Sequence, residues 1–210
     1  DDNITWVQAN TWEGDVDANW STDGNWSKGV KPVAGDTVII PDITAPDDDP
    51  VLNENGVCAA LKIEANGFLD INGAFNLDVG GNVTIDTNGR LDMDHASSEI
   101  KLEGAWNNSG VFNANNGIVT FDSTTVDQLI PAAEVFNDLT IVKGAKTADA
   151  AGTVNVVGDF TITSGTLNCG IQTFNVNGAT AVSGTLQIVD GGEFKSCLLY
   201  TSDAADDETS

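Results

Sequence analysis

The chain has 210 residues and carries 32 acidic against 8 basic side chains, a net charge of −24. A surface of that sign repels phosphate, which argues against nucleic acid and anionic membranes as partners. With 40 % hydrophobic residues the chain can bury a core, and its abundant Asp, Asn and Gly favour tight turns over helices, so many short strands are expected.

Cations are the natural counter-charge, with Ca²⁺ the first candidate cofactor outside cells. The plainer use of the charge is to keep a repetitive β-protein soluble and its strand edges apart. The three cysteines, Cys58, Cys169 and Cys197, make no disulfide framework. No run approaches the ~20 apolar residues of a membrane span. A start at Asp1-Asp2-Asn3 without Met fits a mature exported chain or an internal fragment.

Residues 1–50 stand apart as a Trp-rich segment. Trp6, Trp12, Trp20 and Trp26 lie in Gly-, Asp- and Asn-rich text, followed by a strand at Val38-Ile39-Ile40 that Pro41 stops. Two uses compete for Trp12, Trp20 and Trp26. They either cover the open apolar end of a stack or stack as exposed faces on sugar rings, and the cover is preferred. Asn19-Trp20-Ser21 and Asn25-Trp26-Ser27 match N-glycosylation sequons, a pattern that arises by chance in Asn-rich chains. The extended start Asp1, Asp2, Asn3, Ile4, Thr5, Trp6 and Val7 is a candidate assembly strand that adds to a neighbouring copy. Asp47, Asp48 and Asp49 form the densest acidic spot and the one weak candidate for a Ca²⁺ loop.

Residues 51–195 repeat. A Gly-x-[Leu/Phe] mark recurs at Gly67-Phe68-Leu69, Gly89-Arg90-Leu91, Gly110-Val111-Phe112, Gly165-Thr166-Leu167 and Gly184-Thr185-Leu186, giving coils of 19–22 residues. Between marks the pattern alternates, as in Leu77-Asp78-Val79 and Val83-Thr84-Ile85, so one face is buried and one wet. Helical spacing is nearly absent, and the one doubtful stretch, residues 125–135, is interrupted by Pro131. Such coils bury a core only by stacking on each other. The expected fold is therefore all-β, a right-handed parallel β-helix (β-solenoid) with an N-terminal Trp-rich cap. Residues 196–210 abandon the period, and the solenoid is expected to end at about Lys195 in this chain.

Chemistry is sparse. His95 is the only histidine, in Asp94-His95-Ala96-Ser97-Ser98, and is expected in a solvated turn rather than in a Ser-His-Asp site. No His/Cys cluster suits zinc. Asp70, Asp78, Asp86, Asp92, Asp94, Asp122 and Asp159 read as outward and solvated. Arg90 with Asp70 and Asp92 on adjacent coils is the one candidate catalytic set for a polysaccharide lyase or hydrolase.

The wording GVFNANNGIVTFDSTTVDQLI, VFNDLTIVKGAKTA and VVGDFTITSGTLNCG resembles the repeats of large secreted bacterial and archaeal adhesin-like surface proteins, over most of residues 12–192. That resemblance implies a β-helix, export and a role in adhesion or as matrix. Residues 196–207 resemble a translated sequencing-library adapter, which implies that the native text runs on past about Lys195. The reading is an extracellular structural or adhesive solenoid, not an enzyme. Its partners are further copies joined head-to-tail or other cell-surface or matrix components, and the alternative is a carbohydrate-active or carbohydrate-binding β-helix.

Overall fold

Leu69 lies in register with Leu91, and Leu91 with Phe112, in parallel strands. The recurring mark thus does fix the coil. The computed structural model describes residues 9–43 and 48–201, with side chains to 197. It divides into two compact units, Asp1–Val119 and Thr120–Ser210. Each is a parallel β-solenoid.

Unit 1 contains β1 (Ala9–Thr11), β2 (Thr37–Ile40), β3 (Gly56–Cys58), β4 (Ala60–Ile63), β5 (Phe68–Asp70), β6 (Asn76–Val79), β7 (Val83–Ile85), β8 (Arg90–Asp92), β9 (Glu99–Leu102), β10 (Trp106–Asn108) and β11 (Val111–Asn113). Successive turns of chain add one strand to each of three parallel stacks, β1-β2-β4-β7-β10, β5-β8-β11 and β3-β6-β9. Alternation then sends every second side chain inward. The ladders Val38-Leu61-Val83-Trp106 and Cys58-Val79-Leu102 result, each member 0–4 % exposed. Burying one such aliphatic side chain contributes about 1.5–3 kcal/mol.

The glycine of the mark is needed because coils touch there. A Cβ on Gly110 would sit 2.3 Å from the Gly89 carbonyl oxygen, and one on Gly67 2.4 Å from that of Ile40. Asn66 and Asn88, which precede Gly67 and Gly89, take positive φ of 62° and 65°, a conformation Asn adopts more readily than most residues.

The first turn of unit 1 is filled by indoles. Asn19 bridges Val51, which in turn bridges Asp70, so the segment around Trp20 is the outermost rung of that face among the described residues. Trp12, Trp20 and Trp26 are 0–1 % exposed, with ring centroids 5.0 Å and 4.7 Å apart in edge-to-face pairs. The Trp12 and Trp26 indole N–H groups donate to the Asp48 and Trp20 carbonyls, respectively, both at 2.8 Å. Leu52, Leu77 and Trp20 converge on Gly56. Beneath them Asn25 is fully buried, accepting from Val16 and Asp17 N–H and donating to Asp17 and Asn19.

The boundary between units falls inside β12 (Ile118–Phe121). Unit 2 goes on with β13 (Gln128–Ile130), β14 (Val135–Phe136), β15 (Asp138–Ala150), β16 (Val154–Val156), β17 (Phe160–Gly170), β18 (Thr173–Val182), β19 (Thr185–Ile188) and β20 (Glu193–Thr201). β13, β15, β17 and β19 pair in succession, as do β14, β16, β18 and β20. The inner ladders are Ala148-Leu167-Leu186 and Val154-Phe174-Phe194.

Two expectations change, and one stretch the sequence left in doubt is resolved. The Ser164-Gly165-Thr166 mark is not a turn between strands but an irregularity inside the long strand β17, with Gly165 at φ 82°. Residues 125–135 hold β13 and a turn with Ala133 at φ 62°, not a helical turn; the only helical segment among the described residues is a 3-10 turn at Asp23–Asn25. The period also does not stop at 195, because β20 pairs in parallel with β18 as far as Val182↔Thr201. Ladder hydrogen bonds come from the backbone and so tolerate a change of side-chain text.

Gly110→Ala is expected to abolish cooperative folding or lower the unfolding midpoint steeply, whereas Gly35→Ala, with nothing within 4 Å of the added carbon, leaves it nearly unchanged. Thermal unfolding of the two variants checks this.

Candidate functional site

The β5-β8-β11 face brings together the residues with the most chemistry in unit 1. In-register pairing stacks Phe68, Arg90 and Val111 in one column, and Asp70, Asp92 and Asn113 in the next. Adjacent members are about one strand spacing, ~4.8 Å, apart. The alternative candidate set that the sequence offered, Arg90 with Asp70 and Asp92, therefore lies together on neighbouring coils.

Its internal bonds define what it can do. Arg90 Nε donates to Asp92 Oδ1 at 2.8 Å, Arg90 Nη2 donates to Oδ2, and the guanidinium lies 4.9 Å from the centroid of the Phe68 ring. Asn113 Nδ2 donates to the same Oδ1 at 2.7 Å. Asp92 is 4 % exposed, which corrects its expected solvated position: the arginine and the amide supply what water would have. Donating to Asp92 raises the Arg90 pKa, so the guanidinium holds its proton.

Asp70 is different. Its Oδ1 is buried and has no hydrogen-bond partner. Burial first, then the Asp94 and Asp92 charges, push its pKa up, against a smaller opposing effect of Asn72 and Arg90. Asp94 itself is exposed and accepts from Asn115 Nδ2. A carboxyl that protonates readily beside ionised neighbours is the arrangement of a general acid, although Asp92 has both oxygens engaged.

The other sequence candidates part company. Trp12, Trp20 and Trp26 offer no face to a sugar ring, since all three are buried; the sugar-stacking alternative is overturned because their apolar area is spent inside the first turn. The Asn25 sequon is inaccessible for the same reason. At the second sequon, Asn19 Nδ2 bonds Asp17 Oδ2 at 2.9 Å. His95 is exposed in a turn, with Nδ1 accepting from the Ser97 N–H at 3.0 Å and its carbonyl from Ser98 Oγ at 2.6 Å, and no serine–histidine relay forms.

Of the acidic triplet, Asp47 lies outside the described residues, as do Asp1, Asp2, Asn3, Ile4, Thr5, Trp6 and Val7. The Asp48 carbonyl caps Trp12, and burial followed by Asp42 and Asp48 raises the Asp49 pKa. Among the described residues, no group of three or more His, Cys, Asp or Glu side chains is arranged for a metal ion. The cysteines are free, and burial pushes Cys58 up to about 12 and Cys169 to about 11, so both thiols stay protonated.

One buried residue was missed in the sequence. Lys143 in β15 is fully buried in unit 2, its ammonium donating to the Val126 carbonyl at 2.8 Å and to Gln128 Oε1 at 2.6 Å. Gln128 Oε1 also accepts from the Ser123 N–H. The lysine stem packs where Gly165 has no side chain. Alternation alone would place Lys143 inward, and its charge argued against reading it so.

Residues 11–127, more than half of the chain, match a family described as Domain of unknown function (DUF8693), and the protein belongs to that family. No curated protein and no solved structure matches.

The raised Asp70 pKa has a signed consequence. A carboxyl whose folded pKa exceeds its unfolded one disfavours folding when ionised, and that penalty disappears as pH falls through the folded and then the unfolded value. Asp70→Asn is therefore expected to raise the unfolding midpoint at pH 7, with the difference from the parent shrinking on acidification. Midpoints measured over a pH series check it; a variant less stable at pH 7 would contradict the sign.

Proposed function

We propose that this DUF8693 chain is extracellular structural or adhesive material: part of a large surface protein, or a subunit that assembles head-to-tail, and not an enzyme. The observation that carries the reading is the state of the last coil of unit 2. Among the described residues, β19 and β20 are each paired on one side. Ile188 and Val189 are 43 % and 42 % exposed, and Leu186 and Phe194 are only half-buried, although their ladder predecessors Leu167 and Phe174 are fully buried. A further coil, of the same chain or of another copy, would cover such side chains, and a contact between unlike ends of separate copies propagates rather than closes. The engagement of Arg90 and Asp92 with each other and the burial of the tryptophans support the same reading, since both remove groups that an enzyme or a sugar site would use.

The net charge of −24 supports Ca²⁺ as an accompanying ion rather than a catalytic one. Asp70 supports the second reading, a carbohydrate-active solenoid, because it is the one carboxyl in the set with an unengaged oxygen.

Concentration series in sedimentation and electron microscopy are expected to show assemblies that grow with protein concentration; strictly monomeric particles at high concentration overturn the assembly reading. Incubation with acidic and neutral polysaccharides is expected to release no new reducing or unsaturated ends. Turnover that disappears in Asp70→Asn would install the carbohydrate-active reading instead.

A further inference from the structure

The sequence contains six Asn-Gly pairs, at Asn55, Asn66, Asn72, Asn88, Asn116 and Asn177. Each is chemically primed for the same reaction, because a following glycine puts no side chain in the way of its own nitrogen attacking the asparagine amide. The fold treats them very differently.

In four pairs the glycine N–H is tied down in the backbone. Gly67 donates to the Glu64 carbonyl at 2.9 Å, Gly89 to Asp86 at 2.8 Å, Gly117 to Ala114 at 2.7 Å and Gly178 to Gly158 at 2.9 Å. Gly56 is held in the β3–β6 ladder opposite Leu77, and the Asn55 side-chain oxygen is occupied by the Asn76 N–H at 3.0 Å. Gly73 is the exception. It lies outside any strand, between β5 and β6, and its N–H has no hydrogen-bond acceptor among the described residues. Asn72 in front of it is exposed.

We infer that Asn72 is a site of spontaneous deamidation, held open by the fold while the other five Asn-Gly pairs are held shut. The Gly73 N–H gives its proton to a solvent base, and the nitrogen attacks Asn72 Cγ. The new C–N bond forms as Cγ–Nδ2 breaks, and ammonia leaves with protons taken from water. Water then opens the resulting succinimide at either carbonyl, giving aspartate or isoaspartate. No oxidant, metal or enzyme enters. A hydrogen-bonded glycine N–H must first give up its acceptor and its turn geometry, which is a local unfolding cost that Gly73 does not meet.

The location gives the reaction a consequence. Asn72 favours the ionised form of Asp70 on the acidic face that also carries Asp92 and Asp94. Deamidation replaces that neutral amide by a further carboxylate, and the isoaspartate product also lengthens the backbone in the connection to β6. The β5-β8-β11 face thus gains charge and loses order with the age of the molecule.

Folded protein aged in mildly alkaline buffer made with heavy-oxygen water, then mapped by peptide mass spectrometry, tests this. Label is expected to enter at Asn72 several-fold faster than at any of the other five sites, and the lead should vanish in protein aged in urea, where all six are alike. Asn72→Gln is expected to remove the early event and leave the slower sites unchanged. Another Asn-Gly pair matching or outpacing Asn72 in the folded protein overturns the inference, as does an Asn72 lead that persists unchanged in urea.

Discussion

Parallel, in-register stacking is the constraint from which the rest of this structure follows. Each residue in a coil lies one strand spacing from its equivalents above and below, so a choice made at one position is imposed on a whole column. Apolar columns gain from this, and Leu69-Leu91-Phe112 is a continuous seam. Carboxylate columns suffer, because Asp70 over Asp92 sets like charges side by side. The remedies are local: Arg90 and Asn113 surround Asp92, and in unit 2 the Asn168 amide donates a hydrogen bond to Asp149 on the preceding coil. An Asn in the column next to an Asp, as at Asn113 and Asn168, donates a hydrogen bond to the carboxylate and adds no charge.

The same constraint explains how much the sequence revealed. Period and alternation are properties of columns, so coil length, the inward ladders and the meeting of Arg90 with Asp70 and Asp92 could be read without coordinates. Burial depends on what lies across the coil, which spacing does not encode. Asp92 read as a wet outward residue and proved enclosed, and the tryptophans supported two readings that only their packing separates. Lys143 was hidden more deeply still, since the bonds that make its burial tolerable come from residues 15 and 17 positions earlier. The length of β15 and β17 was equally unreadable, because a glycine that ends one strand in a tight turn can also pass through another as a bulge.

A consistent division of labour emerges. Groups that in other settings would recognise or transform a ligand are here spent on holding the chain: indole N–H groups on carbonyls, a guanidinium on its own strand's carboxylate, a histidine on the backbone of its turn. What is left for the surroundings is a surface of repeated Thr, Asn and Asp and, on the last described coil of unit 2, exposed apolar side chains such as Ile188 and Val189.

That last described coil sets a direction within unit 2. In a stack whose members gain stability only from their neighbours, the rung with one neighbour opens most often, and each rung inward must wait for the one outside it. Backbone amides in β20 and β19 should therefore trade their protons for solvent deuterons ahead of β18 and β17, and those ahead of β15. Unit 2 would then loosen from one end like a zip. Any partner that seats on β19 and β20 would slow exchange in strands it never touches.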